Sequence, residues 1–180
     1  MPLQRTPAGR LTVAAEPLTA AAFAPFGDVV SAGLGDGKAA NQGTAVRFDW
    51  AAQLHSSRPE ARPNLAVFRS AAKALPFPLR LLEKHPCSSQ AFLPLLCSRF
   101  LICVAPTAAD GGPDLDGLRA FLCVPGQGIN YRPNTWHHPI IALDEGGEFA
   151  MLAWEDGSAD DCVESWFGEQ VDVVLADDVP

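Results

Sequence analysis

The chain alternates short apolar runs with clusters of turn-forming residues, the rhythm of a strand-rich protein. Residues 11–14 predict a first strand, and residues 18–23 a short helix with Thr19 as its N-cap. The sequence Phe26-Gly27-Asp28-Val29-Val30 turns into a second strand, and residues 33–37 read as a flexible loop. Strands follow at 45–48, 64–69, 79–83, 91–96 and 100–104. Residues 111–113 open a helical turn that runs to 118, and 120–124 returns as a strand. Segments 129–131, 138–143, 149–154 and 162–166 complete the series. The expected fold class is mainly β, an antiparallel barrel or sandwich with a few short helices and a helix content of about 10–15%.

The 16 prolines and 15 glycines are spread along the chain rather than gathered in one linker, and there is no internal repeat. One domain over 1–180 is expected, with its core at about 11–168 and an acidic tail at 169–180. The acids of that tail, Glu169 to Asp178, read as a solvated end. A hydrophobic share of 48% with 19% charged residues is a globular composition. The net charge of −8 repels phosphate backbones, which excludes nucleic acid as a partner class. The apolar run 91–106 is interrupted by Pro94, Ser98 and Arg99, so no membrane span is expected. The N-terminus lacks a continuous apolar stretch, and a cytoplasmic protein is the expectation. Five scattered cysteines without a CxxC pair argue against a disulfide framework or a structural zinc site.

The candidate chemistry gathers in two windows, residues 83–92 and 126–139, which hold three of the four histidines. In the second, Gly126, Arg132, Asn134 and His137 follow the spacing of the second motif of cupin barrels, with Arg132 and Asn134 in place of its Pro and Gly. Asn tolerates a left-handed turn better than most residues, so the turn survives the exchange. The first window resembles the first cupin motif more loosely, as Glu83-x-His85 followed by Gln90. If a divalent metal is bound, Glu83, His85, Gln90 and His137 are its candidate ligands. Structural roles compete with these. His85 precedes Pro86 and can begin a turn, His137 and His138 cannot share one strand face, and Tyr131 and Trp136 can be core aromatics.

Taken together, the windows resemble the ureidoglycolate lyase family. The segments that carry the likeness are His85-Pro86-Cys87-Ser88-Ser89-Gln90-Ala91-Phe92-Leu93-Pro94 and Gln127-Gly128-Ile129-Asn130-Tyr131-Arg132-Pro133-Asn134-Thr135-Trp136-His137-His138-Pro139. Weaker echoes occur at Phe26-Gly27-Asp28, at Asn41, Gly43 and Arg47, at Arg69, at Leu118-Arg119-Ala120-Phe121 and at Asp161-Cys162-Val163-Glu164. One departure is Trp154-Glu155, where the family commonly shows an Asp-Arg pair; an acid stands here in place of a cation.

The resemblance implies a cupin-like barrel, a homodimer, and cleavage of ureidoglycolate to glyoxylate and urea. That chemistry needs a base for the substrate hydroxyl, an acid for the departing nitrogen and a cation for the carboxylate. The candidates are His85, His137 or His138 as base, Tyr131 as proton donor, Gln90 as a hydrogen-bonding group, and Arg69 and Arg119 for the carboxylate. Three other functions stay open at this point. They are another small-molecule cupin enzyme (a metal-dependent isomerase or dioxygenase), a non-catalytic carboxylate- or sugar-binding module, and hydrolysis of the urea moiety with release of ammonia.

Overall fold

A computed structural model describes residues 3–176. The chain runs through β1 (Gln4–Arg5), β2 (Leu11–Pro17), helix α1 (Ala20–Phe23), β3 (Gly27–Val30), β4 (Gly37–Ala40), β5 (Ala45–Phe48), β6 (Arg62–Ser70) and β7 (Phe77–Lys84). It continues through β8 (Gln90–Cys97), β9 (Phe100–Ala105), β10 (Arg119–Cys123), β11 (Gly128–Tyr131), β12 (Trp136–His137), β13 (Ile141–Ala142), β14 (Gly147–Glu155) and β15 (Val163–Leu175). Six strands close a ring in the order β2-β10-β9-β12-β7-β15, shut by the pairing of β15 with β2. A second sheet, β3-β11-β8-β14-β6, packs on it, and β4 and β5 form a separate hairpin. The fold is mainly β, a closed barrel with a second sheet, as expected. Helix is scarcer than expected: beyond α1 there are only 3-10 turns of three residues among the described residues.

Strand β9 explains the two-layered core. Every residue of Phe100–Ala105 is buried, because both faces of the strand are covered. Phe100, Ile102 and Val104 join Phe92, Phe121, Ile129, Tyr131 and Phe149 between the ring and the second sheet. Leu101, Cys103 and Ala105 turn the other way, into the ring, where they meet Val13, Leu79, Leu82 and Val173. A continuous apolar run in the sequence is the mark of such a strand. Strand β14, by contrast, alternates: Phe149, Met151 and Ala153 are buried, and the residues between them are half-buried.

Four sequence expectations need correction. The strand expected at 138–143 is cut down to β13, with β12 lying before it, because Pro139 has no N–H to give to a ladder. The loop expected to reach Gly37 ends there as a strand, β4. The pairing is not wholly antiparallel, since β2 runs parallel to both β10 and β15. The expected tail from 169 is instead the second half of β15: Val171 and Val173 are fully buried inside the ring. Asp172 lies between them, accepting a hydrogen bond from Gln170 Nε2 at 2.6 Å. The period-2 alternation is present there, but the acids disguise it. Residues 177–180, including Asp177 and Asp178 of the expected tail, lie outside the described residues.

Candidate active site

The two sequence windows meet where the ring faces the second sheet. His137 on β12 pairs across the ladder with Glu83 on β7 and with Val104 on β9. Its neighbour Trp136 points into the ring, so His137 takes the opposite face, toward the second sheet. From that sheet come Gln90, the first residue of β8, and Tyr131, the last of β11, which are register partners. His85 lies on the connection between β7 and β8. The backbone N–H of Asn134 donates to the His85 carbonyl at 2.8 Å and so ties the windows together. Asn134 adopts φ 66°, the left-handed conformation the turn was expected to require. Thr135 Oγ1 donates to the Phe26 carbonyl at 3.0 Å and anchors the same turn to β3.

The rings form a short stack. Tyr131 lies against His137 with centroids 4.0 Å apart, and His85 lies 5.3 Å beyond. The Nδ1 of His137 is 2.9 Å from the Thr135 carbonyl, and that of His85 hydrogen-bonds the Asp161 carbonyl. A carbonyl can only accept, so both Nδ1 atoms carry protons and both Nε2 atoms are left with a lone pair or a second proton. His137 Nε2 stands 3.1 Å from Gln90 Oε1 and 3.5 Å from Glu83 Oε1. His85 Nε2 is buried with no partner. Burial, and after it the charge of His137, lowers the His85 pKa; Asp161, Glu83 and Glu155 oppose without reversing this. Burial pushes Glu83 up, but its hydrogen bond to His137 and the charges of His137 and His85 outweigh that, and its pKa is lowered. Burial, then Cys123, Cys103 and Glu83, holds the Tyr131 hydroxyl well above its ordinary range.

This donor set fits a divalent cation. Ligand atoms of Glu83, His85 and His137 all lie within 4.8 Å of one another. Two imidazoles oriented by backbone carbonyls, with a carboxylate beside them, are the arrangement metal-binding histidines use. The orphaned lone pair of His85 has no other use among the described residues. Gln90 Oε1 stands close enough to His137 to complete such a set.

Other predicted residues lie elsewhere. His138 falls on the opposite strand face, edge-on to Phe77 at 5.2 Å. Arg119 is spent on Glu16 at 2.8 Å and the Ala22 carbonyl. Arg69 pairs with Glu148 at 2.7 Å, five residues beyond Asn64, the cross-strand level of Gln90. It lines a cavity of about 810 Å³ with Leu96, Cys97 and Glu145, and no histidine is among the residues lining it. Conversely, several residues at the site were not foreseen. Asp161 supplies the carbonyl for His85, and its carboxylate is held by Arg58 and by the Gly157 N–H at 2.6 Å. Cys162 Sγ donates to Glu83 Oε2 at 3.7 Å, its pKa raised to about 12 by burial and by Glu83. The Asp-Cys-Val-Glu echo at 161–164 was the available signal; nothing in the sequence marked Arg58.

The family model described as ureidoglycolate lyase matches residues 10–174, a span that contains both windows. The chain belongs to the ureidoglycolate lyase family. Relatives named ureidoglycolate lyase from Pseudomonas entomophila (strain L48) and Pseudomonas putida (strain W619) are each 39% identical over 165 residues, covering 91% of this chain and 96% of theirs. One from Pseudomonas fluorescens is 39% identical over 166 residues, 92% of this chain and 97% of its own. A solved 3,4-ketoisomerase from Helicobacter canadensis superposes with a TM-score of 0.44 at 12% identity, over 75% of this chain and 87% of that one. The ureidoglycolate lyase match thus covers every residue of the stack Tyr131–His137–His85 and the two side chains beside it, Glu83 and Gln90.

Proposed function

We propose that this chain cleaves ureidoglycolate to glyoxylate and urea, with His137 as the base. The observation that carries the reading is the convergence of His137 Nε2, Glu83 Oε1 and Gln90 Oε1 at 3.1–3.5 Å. Lone pairs crowded that closely call for a positive charge between them. A proton abstracted from the substrate hydroxyl and received at His137 Nε2 is stabilised there by Glu83. As the hydroxyl proton leaves, the C–O bond becomes the aldehyde carbonyl of glyoxylate and the C–N electrons pass to the urea nitrogen. Tyr131, which keeps its proton because burial raises its pKa, is the donor to that nitrogen. The proton held at His137 then restores the phenol. Gln90 orients the ureido group. If Glu83, His85 and His137 held a divalent ion, the Nε2 lone pair of His137 would be spent on it, and the ion rather than the imidazole would ease ionisation of the substrate hydroxyl.

The chain acts as a single domain and as a homodimer in this reading. Support for the pairing is the outer face of the second sheet, where Leu65, Val67, Leu93 and Leu95 are exposed together. No helix among the described residues is long and apolar enough to cross a membrane. All five cysteines are free, which suits the reducing cytoplasm proposed for it. The deciding experiment incubates purified protein with ureidoglycolate and follows glyoxylate, urea and ammonia, with and without chelator. Glyoxylate and urea in equal amounts are expected. Ammonia in place of urea would replace the lyase reaction by hydrolysis. Binding of ureidoglycolate or glyoxylate without turnover would leave a carboxylate-binding module.

A further inference from the structure

The chemistry at His137 needs a cation for the substrate carboxylate, and strand parity identifies one. Along β6, Ala66 packs on the core between the sheets and Phe68 sits edge-on to Phe92 of that core, 5.7 Å away. Even-numbered positions of β6 therefore face the ring, and odd-numbered ones face outward, where Leu65 and Val67 are exposed. Arg69 is on the outward set. Arg62 and Asn64 are on the inward set. The β6–β14 register runs without a shift from Gly147 to Glu155, so the parity holds to the end, where Arg62 pairs with Glu155 and Asn64 with Ala153.

That end is the end with the chemistry. Ala153 is the register partner of Gln90, the residue hydrogen-bonded to His137. Glu155 lies two residues along β14 from Ala153 and on the same face, which puts Glu155 and its partner Arg62 at the end of the sheet beside Gln90. Two strand spacings and two residues separate the Arg62 and Gln90 backbones, about 12 Å. An extended arginine covers roughly half of this, leaving room for a small dicarbonyl acid between guanidinium and imidazole.

The other cations near this end are occupied. Arg58 is neutralised by Asp156 and Asp161. Lys84 donates to the Gly111 carbonyl at 3.2 Å and lies over the Trp136 ring, and Arg132 donates to the Ala24 carbonyl at 2.7 Å. Among the described residues Arg62 has neither an ion pair nor a hydrogen bond from its guanidinium. Its cross-strand neighbour Glu155 is instead bound by Asn64 Nδ2 at 2.7 Å. An exposed guanidinium without a partner, on the strand face that carries Asn64, is suited to a carboxylate taken bidentately.

We propose that Arg62 binds the α-carboxylate of the substrate and of the glyoxylate product. The assignment rests on the lyase reading for its substrate, so the test has one arm that does not. In that arm glyoxylate is titrated into wild type, Arg62→Gln, Arg62→Lys and Arg80→Gln by calorimetry. Arg80 is an exposed arginine hydrogen-bonded to Gln170 on another strand pair, and serves as the charge-loss control. Glyoxylate affinity should fall about tenfold or more in Arg62→Gln, partly recover in Arg62→Lys and stay unchanged in Arg80→Gln. In the second arm, KM for ureidoglycolate should rise in parallel for Arg62→Gln while kcat stays within about threefold, as loss of uniform binding requires. Equal glyoxylate affinity in wild type and Arg62→Gln, or no binding by wild type, overturns the proposal. Wild-type binding that Arg62→Gln loses, with no turnover of ureidoglycolate by either, sustains Arg62 as a carboxylate site and overturns the lyase reading instead.

Discussion

Replacing Tyr131 by Phe separates the stability effect of one buried hydroxyl from its proposed role as proton donor. The Tyr131 side chain is 1% exposed, and its hydroxyl has no hydrogen-bond partner among the described residues. A buried hydroxyl without a partner costs about 1–3 kcal/mol in lost solvation. Tyr131→Phe removes that cost and keeps the ring, with its stack on His137 and its edge contact to Phe92. The small void left by the oxygen offsets part of the gain, so the net effect is about 1 kcal/mol of stabilisation. For a chain of this size that raises Tm by about 2–4 °C. Activity should move the other way. Loss of a positioned proton donor lowers kcat by about 100-fold, some 2.7 kcal/mol of barrier. Thermal unfolding followed by circular dichroism, together with steady-state glyoxylate release, reads both effects. A fall in Tm would refute the claim that the hydroxyl is unpartnered. A rise in Tm with unchanged kcat would refute the donor role and leave Tyr131 as a packing surface for His137.

Three further outcomes follow from the same geometry. His137→Ala should lower kcat by about 10²–10⁴-fold while the protein stays folded, and near-normal turnover would remove His137 from the base role. Gly27→Ala should destabilise by about 3 kcal/mol, because a Cβ there would sit 1.9 Å from the Asn130 carbonyl oxygen on the paired strand; an unchanged urea midpoint would contradict this. The chelated protein should be less stable at pH 5.5 than at pH 8. Burial lowers the pKa of His85 and His138 below the ordinary 6.5, so the unfolded chain binds protons there that the folded chain refuses. Their stabilisation is complete above about pH 6.5 and is lost as pH falls through that value toward the folded pKa. Equal urea midpoints at the two pH values would show that neither imidazole is held neutral.

Much of the site was legible in the sequence because its residues fall in two windows with strong local constraints. The left-handed turn at Asn134 and the N-cap at Thr19 depend on their own few residues, and both form as expected. Strand positions were legible wherever one face is buried and the alternation is clean, as in β14. Legibility failed where other forces interrupt the pattern. Pro139 cuts the strand expected at 138–143 down to β13, and the acids around Val171 and Val173 hid the end of β15.

By itself, then, the sequence determined the class of fold, the family, and the two windows whose side chains His85, Gln90, Tyr131 and His137 meet in the structure, because these follow from local spacing and motif. Which arginines are already committed to a partner was decided only in three dimensions. Arg69 and Arg119 are the right residue type, but their salt-bridge partners Glu148 and Glu16 lie 79 and 103 positions away. Arg62 carries no mark in the sequence and is placed by parity and by register with Glu155. Likewise Asp161 reaches His85 across 76 residues. Long-range pairing sets which face and which end of a sheet a side chain occupies, and a shift of one residue would turn each of these groups away from the site.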